Sequence, residues 1–192
     1  MAFALAGNTR PCPSPSGVLY LAYGSNMLTA RLQARVPSAQ PFGVARLSRH
    51  VLCFHKRSHN DGSGKCTLQP ASEAVAAVFG VLFEIEPSER PALDRAEGLG
   101  VGYAARTVTV HTACGPRRAY TYQARPDHLD ATLRPYVWYR ALVIAGAREH
   151  GLPASHRARL RAVPAQRDPD ADRRQRHRAL LPASAATANY QR

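Results

Sequence analysis

The sequence contains no long hydrophobic run, and this bears on where the protein is found. Its longest nearly unbroken apolar stretch, Ala74 to Phe83, is ten residues long, whereas a membrane-spanning helix needs about 20. The apolar segment Met1 to Gly7 lacks the basic residues that lead into a secretory signal, and it is also short for one. We therefore predict a cytoplasmic protein without a membrane partner.

Cysteine is scarce, and the spacings typical of metal sites are missing. The four cysteines are Cys12, Cys53, Cys66 and Cys114, and no two of them form a Cys-x-x-Cys pair. The sequence also lacks the His-Glu-x-x-His pattern of zinc hydrolases. It therefore predicts neither a metal site nor a disulfide-rich scaffold.

Lysine is almost absent, although the chain is strongly basic. Its net charge is +13, and Lys56 and Lys65 are the only lysines among its 26 basic residues. The excess is densest in residues 151–192, which hold nine arginines and three aspartates. A solvated tail explains this pattern, and phosphate binding is the alternative. Since no RNA-recognition aromatic string or paired zinc ligands accompany the charge, the sequence disfavours a nucleic-acid partner.

The composition predicts one compact domain between two tails. Residues 1–16 contain Pro11, Pro13 and Pro15 and no periodic apolar face, which predicts a disordered N-terminal arm. Residues 17–164 have the apolar patterning of a folded domain. Residues 165–192 are rich in Arg, Asp, Gln and Ala and poor in large apolar residues, which predicts a basic, disordered tail.

The order of the predicted elements favours an α+β fold over a regular series of β-α-β units. Apolar and alternating runs predict strands at Val18–Tyr23, Arg49–Lys56, Ala74–Ile85, Arg106–Thr112 and Arg117–Arg125. Helical spacing and Pro or Gly at the ends predict helices at Met27–Val36, Ser88–Ala96, Pro135–His150 and Ala154–Val163. We expect the third strand to be interrupted or bent at Gly80, and Gly98 to terminate the second helix.

The segment Tyr23-Gly24-Ser25-Asn26, between the first strand and the first helix, is the first candidate site. A glycine lets the backbone approach a ligand closely, and the amides that follow can bind an anion or a polarised carbonyl oxygen. The alternative is that Ser25 or Asn26 only caps the helix.

Two acidic residues at the end of the second helix form another candidate. Asp94 and Glu97 are three residues apart and share a helix face beside Gly98. A carboxylate in such a position can act as a general base, although two solvated acids are the simpler interpretation. Tyr139 is a further candidate, since its hydroxyl could reach a ligand from the third helix; a core or surface tyrosine is the alternative.

The segment Asp61-Gly62-Ser63-Gly64-Lys65-Cys66 has only a superficial likeness to a phosphate-binding loop. That motif requires glycine where this chain has His59, and Ser or Thr where it has Cys66. Nucleotide binding is therefore rejected, and a flexible or ligand-covering loop is the remaining interpretation.

Taken together, three separated motifs resemble the γ-glutamylcyclotransferase family. They are Leu19-Tyr-Leu-Ala-Tyr-Gly-Ser-Asn-Met27, then Leu93-Asp-Arg-Ala-Glu-Gly98 with Gly102-Tyr103, then Tyr139 with Gly146-Ala-Arg-Glu-His-Gly-Leu-Pro153. The resemblance spans about residues 18 to 163. The glutathione-specific branch usually has Tyr-Gly-Ser-Leu, so Asn26 is more similar to the branch that acts on γ-glutamyl amino acids.

The resemblance implies a small mixed β-barrel with flanking helices and an enzyme that needs no metal or organic cofactor. The implied reaction releases 5-oxoproline and a free amine from a small γ-glutamyl substrate, with Glu97 as the general acid and base. The implied substrate-binding residues are Tyr20, Leu21, Ala22, Tyr23, Gly24, Ser25, Asn26 and Tyr139. The role of Tyr103 stays open, and the oligomeric state is a monomer or a homodimer.

Two alternatives remain at this point. One is a sister enzyme that removes a γ-glutamyl protecting group in a biosynthetic pathway. The other is a non-catalytic, basic binding module that retains the cyclotransferase fold.

Overall fold

The computed structural model describes residues 14–182. Most of the predicted N-terminal arm, residues 1–16, therefore lies outside the described residues. At the described end of that arm, the N–H and hydroxyl of Ser16 donate hydrogen bonds to Glu84 Oε1 at 2.5 and 2.8 Å. Ser16 thus contacts the domain, in contrast to the loose arm that was predicted.

Among residues 14–182, seven strands form a closed barrel and a separate hairpin. In chain order they are β1 (Val18–Ala22), β2 (Gln40–Ser48), β3 (His50–Arg57), β4 (Gly64–Pro70), β5 (Ala77–Ile85), β6 (Tyr103–Thr112) and β7 (Gly115–Ala124). The barrel order is β1-β5-β2-β6-β7, and β3 and β4 pair only with each other. All neighbouring strands are antiparallel except β1 and β7, which are parallel at Tyr20 and Tyr120. The predicted mixed barrel of an α+β protein is confirmed.

In the part of the chain that the structure describes, five helices flank the barrel: α1 (Thr29–Gln33), α2 (Arg90–Glu97), α3 (Val137–Glu149), α4 (Ala154–Ala162) and α5 (Ala171–Arg178). Short 3-10 turns lie at Ser25–Met27, Pro87–Glu89 and Pro126–His128. The helix α3 is the most buried of the five because apolar residues occur on all sides of it. Leu142 and Val143, for example, are fully buried. None of the helices among residues 14–182 has the length and apolar character required to cross a bilayer.

The expected interruption or bend of the strand at Gly80 is wrong. The pairing of β5 with β2 runs through Gly80 without a shift, and the irregularity lies at Pro41 and Gly43 on β2. A Cβ atom at position 80 would lie 2.4 Å from the carbonyl oxygen of Ala22. Glycine is therefore required here by the close approach of β1 and β5, not by a bend.

The prediction of a disordered tail beyond Pro164 is wrong for residues 165–182. Asp168 is completely buried, and its Oδ2 accepts hydrogen bonds from Trp138 Nε1 at 2.7 Å and Arg173 Nε at 2.6 Å. Asp170 caps α5 by accepting from the Arg173 N–H at 2.8 Å, and Leu181 is buried. The segment is ordered by a buried ion pair and a tryptophan contact, which its polar composition does not reveal. The domain therefore extends past residue 164.

Candidate active site

The loop after β1 is held in place by α3. A Cβ atom on Gly146 of α3 would lie 2.4 Å from the Leu28 nitrogen and 2.5 Å from the Met27 carbonyl carbon, so only glycine allows this approach. On the cavity side, a Cβ atom on Gly24 would lie 3.1 Å from Cys66 Cβ and 3.3 Å from the Tyr139 hydroxyl. The lack of a side chain at Gly24 therefore keeps the loop backbone open to a ligand.

Glu97 is the last residue of α2, and the way the helix ends fixes its position. Gly98 adopts a left-handed conformation with φ 68°, which favours glycine. The Gly98 N–H donates to Arg95 O at 3.1 Å, and the Leu99 N–H donates to Asp94 O at 2.9 Å. This pair of bonds is the Schellman motif, and it turns the chain away directly after Glu97.

The Glu97 carboxylate is held through one of its two oxygens. Oε1 accepts a hydrogen bond from Asn26 Nδ2 at 2.9 Å and from Arg35 Nη1 at 2.8 Å. Arg35 also donates to Asn26 Oδ1 at 3.0 Å, and Asn26 Nδ2 donates to the Tyr20 hydroxyl at 3.1 Å. Within residues 14–182, Oε2 has no hydrogen-bond partner. The carboxylate is thus fixed in direction and keeps one oxygen for a ligand.

Buried tyrosines form the wall opposite the loop. The Tyr103 hydroxyl donates to Cys66 O at 2.8 Å, and the Tyr139 hydroxyl accepts from the Cys66 N–H at 3.2 Å. Burial, with further contributions from neighbouring groups such as Glu97, raises the pKa of Tyr20, Tyr103 and Tyr139 well above that of a free phenol. These hydroxyls are therefore neutral at physiological pH and can donate hydrogen bonds.

Two connected cavities meet at Glu97. The small inner pocket is lined by Tyr20, Tyr23, Gly24, Ser25, Asn26, Cys66, Glu97, Tyr103, Tyr122 and Tyr139. The wider outer cavity has a volume of about 610 Å³ and shares four of these residues: Ser25, Glu97, Tyr103 and Tyr139. The outer volume is in the range of small-molecule sites.

Most of the residues predicted for the site come together here, but Leu21 and Ala22 do not. Tyr20, Tyr23, Gly24, Ser25, Asn26, Glu97 and Tyr139 all line the inner pocket. Leu21 and Ala22 are buried within β1 and line neither cavity. Their backbone forms the barrel, since Leu21 O accepts from the Thr121 hydroxyl at 2.8 Å. In this motif, therefore, some residues line the pocket and others pack in the core of the strand.

The loop between β3 and β4 lines the outer cavity, which fits the prediction of a ligand-covering loop better than that of a flexible one. Asp61 accepts from the Ser63 N–H at 3.0 Å and from Lys65 Nζ at 2.8 Å. Burial of the Asp61 carboxyl group acts to raise its pKa, but the Lys65 charge and these hydrogen bonds outweigh that effect and lower the pKa of Asp61.

Several cavity residues were missed by the sequence interpretation. Arg35, Arg31, Lys56 and Tyr122 had no motif to distinguish them, because isolated cations and strand tyrosines are common on protein surfaces. Tyr103 had one signal, its place after Gly102 in the second motif. Residues 14–182 contain no group of three or more His, Cys, Asp or Glu side chains arranged to hold a metal ion.

Comparison with known proteins shows a consistent set of relatives. The AIG2-like family matches residues 77–160, a range that contains α2 and α3 with Glu97 and Tyr139. Human gamma-glutamylcyclotransferase is 34% identical over 164 residues, which cover 79% of this chain and 81% of the human protein. The bovine enzyme is 34% identical over 158 residues, covering 76% and 78%. A solved gamma-glutamyl cyclotransferase structure matches with a TM-score of 0.71 at 31% identity, covering 78% of this chain and 89% of that one.

Proposed function

Because this chain belongs to the γ-glutamylcyclotransferase family, we propose that it converts γ-glutamyl amino acids or γ-glutamyl amines to 5-oxoproline and the free amine. Membership of this family makes the chain an enzyme. The division of roles among its residues is part of the proposal.

The proposed reaction needs only one acid–base group, because the substrate carries its own nucleophile. The α-amine of the γ-glutamyl group attacks the γ-carbonyl carbon, and a five-membered ring closes. The ammonium gives up one proton before it attacks, and its nitrogen gives up a second as the new C–N bond becomes the ring amide. The leaving nitrogen takes up two protons as the old amide C–N bond breaks, so it departs as an ammonium. Each proton moves in turn through Glu97, which first accepts it and then returns it to the leaving nitrogen. Water is not consumed.

The geometry of Glu97 supports this role. Asn26 and Arg35 bind Oε1, so the carboxylate cannot rotate freely, whereas Oε2 has no partner within residues 14–182. A substrate ammonium placed in the inner pocket would reach Oε2. The leaving nitrogen would then lie toward the outer cavity, which Glu97 also lines.

The loop after β1 supports a second role, stabilisation of the oxyanion that develops on the γ-carbonyl. The amide N–H groups of Gly24, Ser25 and Asn26 have no acceptor in the described part of the chain. Fixed donors of this kind, aimed at a developing negative charge, commonly make the largest contribution to catalysis of acyl transfer.

The observation that carries the proposal is the Glu97 carboxylate, held through one oxygen where the two cavities meet. The test is release of 5-oxoproline by the purified full-length protein, followed by mass spectrometry, from γ-glutamyl-alanine, γ-glutamyl-glutamine, glutathione and a γ-glutamyl amine. N-acetyl-γ-glutamyl-alanine is the matched control, since its amine is blocked and cannot close the ring. We expect 5-oxoproline from the γ-glutamyl amino acids and none from the control.

Other outcomes would support one of the alternatives. Turnover of the γ-glutamyl amine, with none of the other substrates, would favour the sister enzyme that removes a γ-glutamyl protecting group. No 5-oxoproline from any γ-glutamyl compound would contradict the proposal and favour the non-catalytic binding module.

A further inference from the structure

The outer cavity contains more positive charge than its own carboxylates can balance. Three of its cations have ion-pair partners: Arg35 with Glu97, Lys65 with Asp61, and Arg173 with Asp168. Four others have no ion-pair partner within residues 14–182, namely Arg31, Lys56, Arg95 and Arg176.

Lys56 is an unusual member of this set because it is buried. Its exposed fraction is 7%, and its Nζ lies 4.7 Å from the centre of the Tyr103 ring. In the described part of the chain this ammonium has no hydrogen-bond acceptor, and it lines the outer cavity. The ammonium at the end of this otherwise buried side chain therefore reaches the cavity, where it is available to a bound anion.

Arg31 and Lys56 lie at the passage between the two cavities. Arg31 Nε donates to Ser25 Oγ at 3.1 Å, and Lys56 lies over Tyr103; both Ser25 and Tyr103 line both cavities. With the γ-glutamyl group in the inner pocket, these cations would face the first atoms of the leaving amine. One carboxylate there, such as the α-carboxylate of an amino acid, would contact them.

Arg95 and Arg176 line the same cavity from other elements. Arg95 is an exposed residue of α2, and Arg176 is an exposed residue of α5. A leaving group whose only carboxylate binds at the passage would have no acidic group to contact these two arginines.

We propose that the outer cavity selects leaving amines that carry two acidic groups, so that the preferred substrates are γ-glutamyl derivatives of dicarboxylic amino acids, such as γ-glutamyl-glutamate. This inference rests on the proposed function and specifies its substrate class. The α-carboxylate binds at Arg31 and Lys56, and the side-chain carboxylate binds toward Arg95 and Arg176.

The test compares γ-glutamyl-glutamate with γ-glutamyl-glutamine, which has nearly the same shape but one charge fewer. A hydrogen bond to a charged group corresponds to roughly a tenfold change or more in affinity. We therefore expect kcat/KM of the full-length protein to be at least about tenfold higher for γ-glutamyl-glutamate at low salt. The advantage should shrink as salt screens the charges.

Variants locate the effect. Lys56→Met should lower turnover of both substrates, whereas Arg176→Gln should mainly reduce the preference for γ-glutamyl-glutamate over γ-glutamyl-glutamine. Arg118→Gln is the matched control, because Arg118 is exposed on β7 and lines neither cavity. The preference should be unchanged in this control.

Equal kcat/KM for the two substrates in the unmodified protein would overturn the inference and leave the proposed function standing. Failure to release 5-oxoproline from any γ-glutamyl amide would instead contradict the proposed function. In that case calorimetric titration with the same two compounds still tests the cavity, and equal affinities would overturn the inference.

Discussion

At the scale of single residues, Asn26 joins the loop after β1 to the end of α2. Its side chain donates to Glu97 Oε1 and Tyr20 and accepts from Arg35. In the proposed reaction it is therefore a positioning residue that acts through Glu97.

Replacing Asn26 by Leu keeps the volume and removes these hydrogen bonds. A hydrogen bond to a charged group contributes about 1.5–3 kcal/mol, so kcat should fall by about tenfold or more, while KM changes little. Steady-state kinetics give the two constants, and thermal unfolding checks the fold. A folded variant with unchanged kcat would show that Asn26 does not orient the carboxylate.

The sequence identified part of this residue network but not all of it. Asn26, Glu97 and Tyr139 stand in three motifs whose order is informative, and the structure brings them to one pocket. Arg35 and Lys56 could not be recognised, because a cation that lines a cavity has the same local sequence as one in solvent. Leu21 and Ala22 line neither cavity, and a motif does not distinguish residues that line a pocket from those that build the strand.

At the scale of elements, the C-terminal end of α2 determines where Glu97 points. Gly98 has φ 68° and Gly151, after α3, has φ 64°. Each follows a helix end with the same pair of backbone bonds, which for α3 are Gly151 N–H to Arg148 O and Leu152 N–H to Ala147 O. A Cβ atom at either glycine would meet nothing within 4 Å, so alanine there adds backbone strain alone.

Gly98→Ala and Gly151→Ala should therefore cost similar stability, about 1–2 kcal/mol each, but differ in activity. Gly98→Ala shifts the residue next to Glu97 and should lower kcat, whereas Gly151 lines neither cavity and its variant should keep kcat. Denaturant unfolding and initial rates measure both effects. Equal loss of kcat in the two variants would mean that stability, not the position of Glu97, limits the rate.

The elements also show what local pattern can predict. α2 and its terminal glycine were predicted, because proline at the start and glycine at the end are local signals. α5 was missed, because its helix has no apolar face and is held through Asp168, which binds both Arg173 of α5 and Trp138, a residue 30 positions before Asp168. Composition alone makes such a segment look disordered.

At the scale of the whole molecule, Asp168 joins residues 165–182 to the rest of the domain. Burial opposes its ionisation, but hydrogen bonds from Arg173 and Trp138 prevail and lower its pKa to about 2. Since this pKa is below the unfolded value of about 3.9, the carboxylate stabilises the fold above about pH 4. That contribution is lost as the pH falls toward 2.

Asp168→Asn should therefore destabilise the protein by about 2 kcal/mol near pH 6, and the difference from the unmodified chain should shrink as the pH falls from about 4 to about 2. Urea unfolding at a series of pH values measures this. The single tryptophan, Trp138, contacts Asp168 and stacks on His177, so its fluorescence reports directly on the docked segment. A pH-independent difference would show that the carboxylate charge is not what holds the segment.

The most direct test of the proposed mechanism is the rate of 5-oxoproline formation by Glu97→Gln. Glutamine keeps the shape of the side chain but cannot carry the proton, and acid–base groups commonly contribute 10²–10⁴-fold to the rate. We expect kcat to fall by at least about 100-fold with the melting temperature nearly unchanged, since the side chain lies at the junction of two cavities and not in the core. Turnover close to that of the unmodified enzyme would contradict the assignment of Glu97 as the general acid and base.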